Sequence, residues 1–255
     1  GSEMCIRDSA DTALKCAQDL REAFQGNAVT NAKIVSPTPG YLSISKDQTG
    51  HPISFVVPGP AAEVSVGIAI AHFKSPLQDV VRAAQKAEKR AKSSLGRAAV
   101  SITVMKRSGE ITEWGTKWKT GGLELYQAIA SALEEGAVSA KFPHRICQLL
   151  EPYCHSSMSQ LADEMEFDAD AVIAKEFDFA IARQSAAGQA SINSQKLIAL
   201  LQSYLHGLST AHREKEEPRP SEISAQERLQ AMIGLCTTVA FAHRTRNETA
   251  DRQPA

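Results

Sequence analysis

The fold of this chain is decided by residues 64–110, which read VSVGIAIAHFKSPLQDVVRAAQKAEKRAKSSLGRAAVSITVMKRSGE. Residues 64–71 alternate branched and small side chains, which is the pattern of a strand with one face in a core. The small face, formed by Ser65, Gly67, Ala69 and Ala71, admits the close approach of another backbone. Either a packed helix or a bound ligand satisfies that pattern.

A basic helix follows this strand. Ser75 and Pro76 supply a helix start, with Gln78 completing a capping box, and Gly96 supplies the stop. Its polar side carries five cations, which are Arg82, Lys86, Lys89, Arg90 and Lys92. Such a face is either solvated or able to bind an anion.

A second strand follows the helix, because residues 100–105 again alternate apolar and polar side chains. Two strands joined by a helix are expected to lie parallel, with a right-handed crossover. Ser108 and Gly109 then indicate a turn, from which residues 111–114 return as a hairpin arm.

The whole chain divides into four segments. Residues 1–9 resemble an expression scar followed by an assembly artefact, and we expect them to be no part of the fold. The natural protein is then expected to continue upstream. Residues 10–120 form one domain with a loop-rich insertion at 28–63 that holds one hairpin at most. Helical periodicity dominates residues 121–247, and 248–255 are expected to be a tail.

Composition excludes several classes of protein. The chain has 255 residues, 43% of them hydrophobic, and a net charge of −1, so any contact with nucleic acid must come from a local patch. No apolar run is long enough to span a bilayer. The five cysteines form no C-x-x-C pair, which predicts reduced thiols in the cytoplasm and no zinc site.

Residues 64–110 resemble the last third of palm-type nucleotide cyclases. Diguanylate cyclases of the GGDEF family show a similar strand and a helix ending in Ala-Lys, followed by Gly-Arg. The closer resemblance is to the large palm subunit of type III-B CRISPR effector complexes, the Cmr complex. The matching elements here are the strand Ser65 to His72, the Pro76-Leu77 helix start, Ala87 to Lys92, and the Lys106 to Glu110 turn.

The resemblance implies an α+β fold: a partial ferredoxin-like palm of the GGDEF/cyclase type, followed by an all-helical C-terminal domain. It also implies that the parent subunit, a nucleotidyltransferase, makes cyclic oligoadenylate from ATP when its complex holds target RNA. The Gly-Gly-Asp-Asp metal motif of that family does not occur in this sequence. We therefore expect a C-terminal fragment without catalytic or metal-binding residues, inactive alone, with ATP and Mg²⁺ bound by the full-length subunit.

The same resemblance assigns a nucleotide site. Lys92 and Arg97 match positions near the triphosphate in the similar cyclases, and together they suit a polyphosphate. Ser65 and Gly67 would bring backbone close to the nucleotide, and His72 would contact base or ribose. The alternatives are surface charges at a helix end for the two cations and a structural strand end for His72.

Lys106 and Arg107 are predicted to contact the backbone of RNA or DNA, with exposed turn charge as the alternative. The expected partners are other subunits of a CRISPR ribonucleoprotein, with guide and target RNA, and no membrane. Two other functions remain open: a non-catalytic scaffold binding small effector subunits and nucleic acid, and a degenerate GGDEF-like regulatory domain. The helical residues after the palm disfavour the latter.

Overall fold

The computed structural model describes residues 12–27, 34–38, 40–45, 52–154, 168–184, 190–213 and 223–250, which form an α+β fold. Residues 1–9 lie outside this part of the chain. The described helices are α1 (Ala13–Gln25), α2 (Leu77–Ser93), α3 (Gly122–Glu134), α4 (Phe142–Leu150), α5 (Ala169–Gln184), α6 (Ala190–Arg213) and α7 (Ala225–Ala250), with a 3-10 turn at Glu151–Cys154. The strands are β1 (Ile34–Thr38), β2 (Tyr41–Ser45), β3 (Pro52–Val56), β4 (Val66–Ala71), β5 (Ala99–Met105) and β6 (Ile111–Lys117).

The strands β4, β5 and β6 form one mixed sheet, with β5 in the middle. β4 and β5 are parallel, with Gly67 opposite Ser101 and Ala71 opposite Met105. α2 connects them and packs against both strands. β5 and β6 are antiparallel, with Met105 opposite Ile111. The predicted parallel pair and its hairpin arm are therefore confirmed.

A second sheet lies in the segment that was predicted to hold one hairpin at most. β1, β2 and β3 form an antiparallel meander, and Tyr41 lies opposite Val56. The Val57 N–H also donates to the Gly40 carbonyl at 3.0 Å. Pro37 and Pro52 lie within these short strands, and proline weakens a strand signal because it cannot donate to a ladder.

The start of α2 differs from the predicted capping box. Its N-cap position is occupied by Pro76, and no side chain caps the helix. The Ser75 N–H instead donates to the His72 carbonyl at 2.8 Å, which closes a turn after β4. Gly96 has a φ of +73°, as expected of a glycine just past a helix end.

One hydrophobic core joins the mixed sheet to the helices that follow it. The Trp114 ring stacks on Tyr126 of α3 with centroids 5.5 Å apart, and its indole N–H donates to the Tyr204 hydroxyl of α6 at 3.4 Å. A Cβ added at Gly234 of α7 would lie 2.9 Å from the Glu113 carbonyl oxygen. These contacts cross the predicted boundary at residue 121, and α7 continues past residue 247, where a tail was expected.

An ion-pair cluster holds α1 beside the mixed sheet. Glu63 accepts hydrogen bonds from Arg21 Nε at 2.7 Å and Nη2 at 2.8 Å, and Lys119 Nζ lies 3.2 Å from it. The Arg21 guanidinium also lies 5.5 Å from the centre of the Trp118 ring. The hydrogen bonds from Arg21, with those from Lys119, hold the pKa of Glu63 below its usual range, although burial acts in the opposite direction.

Glu63→Gln is expected to lower the free energy of unfolding by about 1–2 kcal/mol at neutral pH, because charge-assisted bonds are lost. The pKa of Glu63 is lower in the folded state than in the unfolded state. Its stabilisation is therefore full above the unfolded pKa, about 4.3, and is lost as pH falls through the folded pKa. Urea denaturation of both proteins across this pH range measures the effect.

The control for this prediction is Asp19→Asn, since the one ion pair of Asp19 among the described residues is an i,i+4 pair with Lys15. We expect that control to change stability by less than about 0.5 kcal/mol. A Glu63→Gln effect that stayed constant between neutral and acidic pH would contradict the ionic role.

Candidate functional site

Gly67 is in backbone-to-backbone contact with α2. A Cβ at this position would lie 2.2 Å from the Glu88 amide nitrogen and 2.4 Å from the Ala84 carbonyl oxygen. No real Cβ tolerates such distances, so only glycine allows helix and strand to approach this closely. The small face was predicted to contact either a packed helix or a ligand. The packing of α2 explains Gly67, and no ligand is needed to explain it.

Gly67→Ala is expected to destabilise the protein by about 3 kcal/mol, because the helix must move away from the strand. Gly109→Ala is the matched control: a Cβ there meets nothing within 4 Å, and its φ of +86° leaves only backbone strain, about 1 kcal/mol. Chemical denaturation of both variants measures the two losses. Equal losses would show that α2 yields freely at Gly67.

Arg90, one of the five cations of α2, is committed to the sheet. Its guanidinium donates to Ser101 Oγ at 2.9 Å, to Thr103 Oγ1 at 2.9 Å and to the Ile102 carbonyl at 3.1 Å. It also forms a 2.6 Å ion pair with Glu113 of β6. Ser101 and Thr103 are buried, so Arg90 supplies the partners that their hydroxyls need. Arg90 is therefore a structural clamp between α2 and two strands.

Arg90→Met is expected to cost about 2–3 kcal/mol of unfolding free energy, since buried hydroxyls and the Glu113 carboxylate lose their partner. Lys89→Met is the control, because Lys89 is the adjacent, exposed cation of the same helix. Thermal or urea unfolding distinguishes the two variants. A similarly small loss in both would show that Arg90 does not clamp the sheet.

Lys92 and Arg97 line one open concavity at the C-terminal end of α2, about 590 Å³ in volume. Its other lining residues are Gln85, Glu88, Lys89 and Ser93. Lys92 forms an i,i+4 ion pair with Glu88. Within the described part of the chain, the Lys89 ammonium and the Arg97 guanidinium form no hydrogen bond or ion pair. Three cations and one carboxylate therefore surround the space, which makes it attractive to an anion.

The backbone after α2 brings Arg97 into this concavity. Gly96, Arg97 and Ala98 have φ values of +73°, +68° and +48°, so three successive residues are left-handed. The Arg97 N–H donates to the Ala91 carbonyl at 3.0 Å, and the Ala98 carbonyl accepts from the Trp118 N–H at 3.0 Å. Left-handed non-glycine residues cost about 1–2 kcal/mol each and persist only where surrounding structure holds them. The helix end and the start of β5 hold Arg97 from both sides.

The other predicted residues do not all join Lys92 and Arg97. Ser65 immediately precedes β4, at the strand end near the C-terminal half of α2. His72 follows the other end of β4, about 16 Å beyond Gly67 at the usual rise of a strand. Its Nδ1 accepts from the Lys74 N–H at 3.2 Å. His72 therefore lies away from the concavity.

Lys106 and Arg107 lie at the same sheet end as His72, because Ala71 pairs with Met105. Lys106 Nζ forms a 2.6 Å ion pair with Glu110 across the hairpin turn, and Arg107 is exposed. The predicted residues thus form two groups at opposite ends of the mixed sheet.

The prediction overlooked Lys89 as a companion of Lys92 and Arg97. The i,i+4 spacing of Gln85, Lys89 and Ser93 places them on one helix face, and that spacing was the available signal. Which of the five cations face the sheet depends on how α2 lies across β5. Lys89 and Arg90 are neighbours in sequence, yet only Arg90 bonds to the strands.

Comparison with known proteins finds no matching protein-family model, curated protein or solved structure.

Within the described ranges, no three His, Cys, Asp or Glu side chains are grouped to hold a metal ion. None of the described helices combines the length and apolar character needed to cross a bilayer. The side chains of Cys16, Cys147, Cys154 and Cys236 are reduced thiols.

Proposed function

We propose that this chain is the C-terminal fragment of the large palm subunit of a type III-B CRISPR effector complex. In that proposal, residues 10–120 belong to the second, ferredoxin-like palm domain. The parent subunit makes cyclic oligoadenylate from ATP in the cytoplasm, together with other effector subunits, guide RNA and target RNA. The concavity around Lys92 and Arg97 receives the phosphates of a nucleotide.

The observation that carries this proposal is the meeting of Lys92 and Arg97 in one open concavity. Four residues and the end of α2 separate Lys92 from Arg97 in sequence. The left-handed turn at Gly96, Arg97 and Ala98 brings the Arg97 side chain back to the same concavity. Lys89 adds a third cation at the same place. A polyphosphate matches this arrangement because ammonium groups act as point charges and guanidinium offers two parallel donors.

The parallel pair β4–β5, covered by α2, supports the proposal at the level of topology. A palm contains such a strand, helix and strand in this order. In the parent subunit, Mg²⁺ would be held by the acidic motif that this sequence lacks, and it would supply the metal chemistry of phosphoryl transfer. Lys92, Arg97 and Lys89 would bind and orient the phosphates and neutralise their charge.

The double variant Lys92→Ala/Arg97→Ala is expected to weaken ATP binding about tenfold or more, since two charge-assisted contacts are lost. Isothermal titration of the purified chain with ATP measures the affinity. The control, Arg82→Ala/Lys86→Ala, removes the same amount of charge at residues of α2 that do not line the concavity. An equal loss in both double variants, or no loss in either, would remove the proposed phosphate site.

A non-catalytic scaffold that binds small effector subunits and nucleic acid is the second candidate. The small sheet favours it, because its exposed apolar side chains are unusual on a surface without a partner. These side chains are Tyr41, Ile53, Phe55 and Val56. Co-purification with small effector subunits in the absence of ATP binding would favour this candidate over the nucleotide site.

A further inference from the structure

Phe73 presents an aromatic ring to solvent at the sheet end opposite the concavity. It is 80% exposed, in the turn between β4 and α2. The His72 ring lies 4.4 Å from it between centroids, and Lys74 Nζ lies 5.6 Å from its centre. The Phe73 ring is therefore largely open to solvent, and the imidazole of His72 and the ammonium of Lys74 lie beside it, both of which interact with π systems.

The neighbours of Phe73 extend this exposed surface. Ile111 begins β6 opposite Met105, and Met105 in turn lies beside Ala71 at the end of β4. Leu77 begins α2 four residues after Phe73. Leu77 is 52% exposed and Ile111 is 59% exposed, so two further apolar side chains are open to solvent at this end of the sheet.

The charge of this surface is positive. Lys74, Lys106 and Arg107 supply three cations, and Glu110 supplies one carboxylate, which is already paired with Lys106. Asp79, in the first turn of α2, is 3.7 Å from Arg82 and so is partly compensated. The chain as a whole carries a net charge of −1, so the excess of cations here is a local feature.

We infer that this surface binds single-stranded nucleic acid, with one base stacked on Phe73 and the phosphate backbone along the turn that carries Lys106 and Arg107. Stacking platforms of this kind combine an exposed aromatic ring with nearby cations. A duplex does not fit, because its bases are already stacked and paired. An aliphatic protein partner would use Leu77 and Ile111 as much as Phe73 and would not need the cations.

The inference deepens the predicted nucleic-acid contact of Lys106 and Arg107 and rests on that part of the proposed function. It shares no residue with the concavity around Lys92 and Arg97. Failure of ATP binding in the earlier titration therefore leaves it standing, and its own failure leaves the phosphate site standing.

The test is fluorescence anisotropy with labelled single-stranded RNA and single-stranded DNA of about 12 nucleotides, and with a duplex of the same sequence. Phe73→Ala is expected to weaken single-strand binding roughly tenfold. Phe73→Tyr should retain the affinity, because it keeps the ring, and Phe73→Leu should lose it, because it keeps only apolar volume. Lys106→Ala/Arg107→Ala should weaken binding and flatten its dependence on salt by about one unit of slope per cation.

Folding is not a complication, since Phe73 is largely exposed. Full affinity in Phe73→Leu would show an aliphatic contact instead of stacking and would overturn the inference. Equal binding of duplex and single strand, or no binding of any strand by the unaltered chain, would overturn it as well. A preference between RNA and DNA identifies which strand the surface takes.

Discussion

The contact between the backbone of Gly67 and the backbone of α2 determines the arrangement of the mixed sheet. A hypothetical side chain there would lie 2.2 Å from Glu88 and 2.4 Å from Ala84. Strand and helix can lie this close only where the side chain is absent. The contact fixes the height of α2 above the sheet, and this height in turn decides what each cation of the helix can reach.

Two consequences follow on neighbouring residues. Arg90 reaches the hydroxyls of Ser101 and Thr103 and the carboxylate of Glu113, so its charge is used within the fold. Lys89 and Lys92 point away from those strands and line the concavity with Arg97. The basic face of α2 is thus neither a uniformly solvated surface nor a uniform anion site. Arg90 is a structural cation, Lys89 and Lys92 are available to a ligand, and Arg82 and Lys86 belong to neither group.

The mixed sheet is also joined to the helices on its other side. Trp114 stacks on Tyr126 and donates to Tyr204, and Gly234 allows α7 to lie against Glu113. The position of β6 therefore depends on contacts with helices that come much later in the chain. The concavity and the Phe73 surface lie at opposite ends of this sheet. A ligand bound at one end would therefore not obstruct a ligand at the other.

The amino-acid sequence by itself indicated the strand, helix and parallel strand of residues 64–110, because alternation and helical spacing are local and a helical connection favours parallel strands. The resemblance of residues 64–110 to palm-type cyclases paired Lys92 with Arg97. The sequence did not predict the third strand of the small sheet, because prolines weaken the strand signal. It wrongly predicted a capping box at Ser75, where no side chain caps the helix. Only the tertiary structure separated His72 from Lys92, assigned Arg90 to the sheet, and brought Arg21 to Glu63. These outcomes depend on which residues distant in sequence lie side by side, and periodicity within one segment carries no information about that.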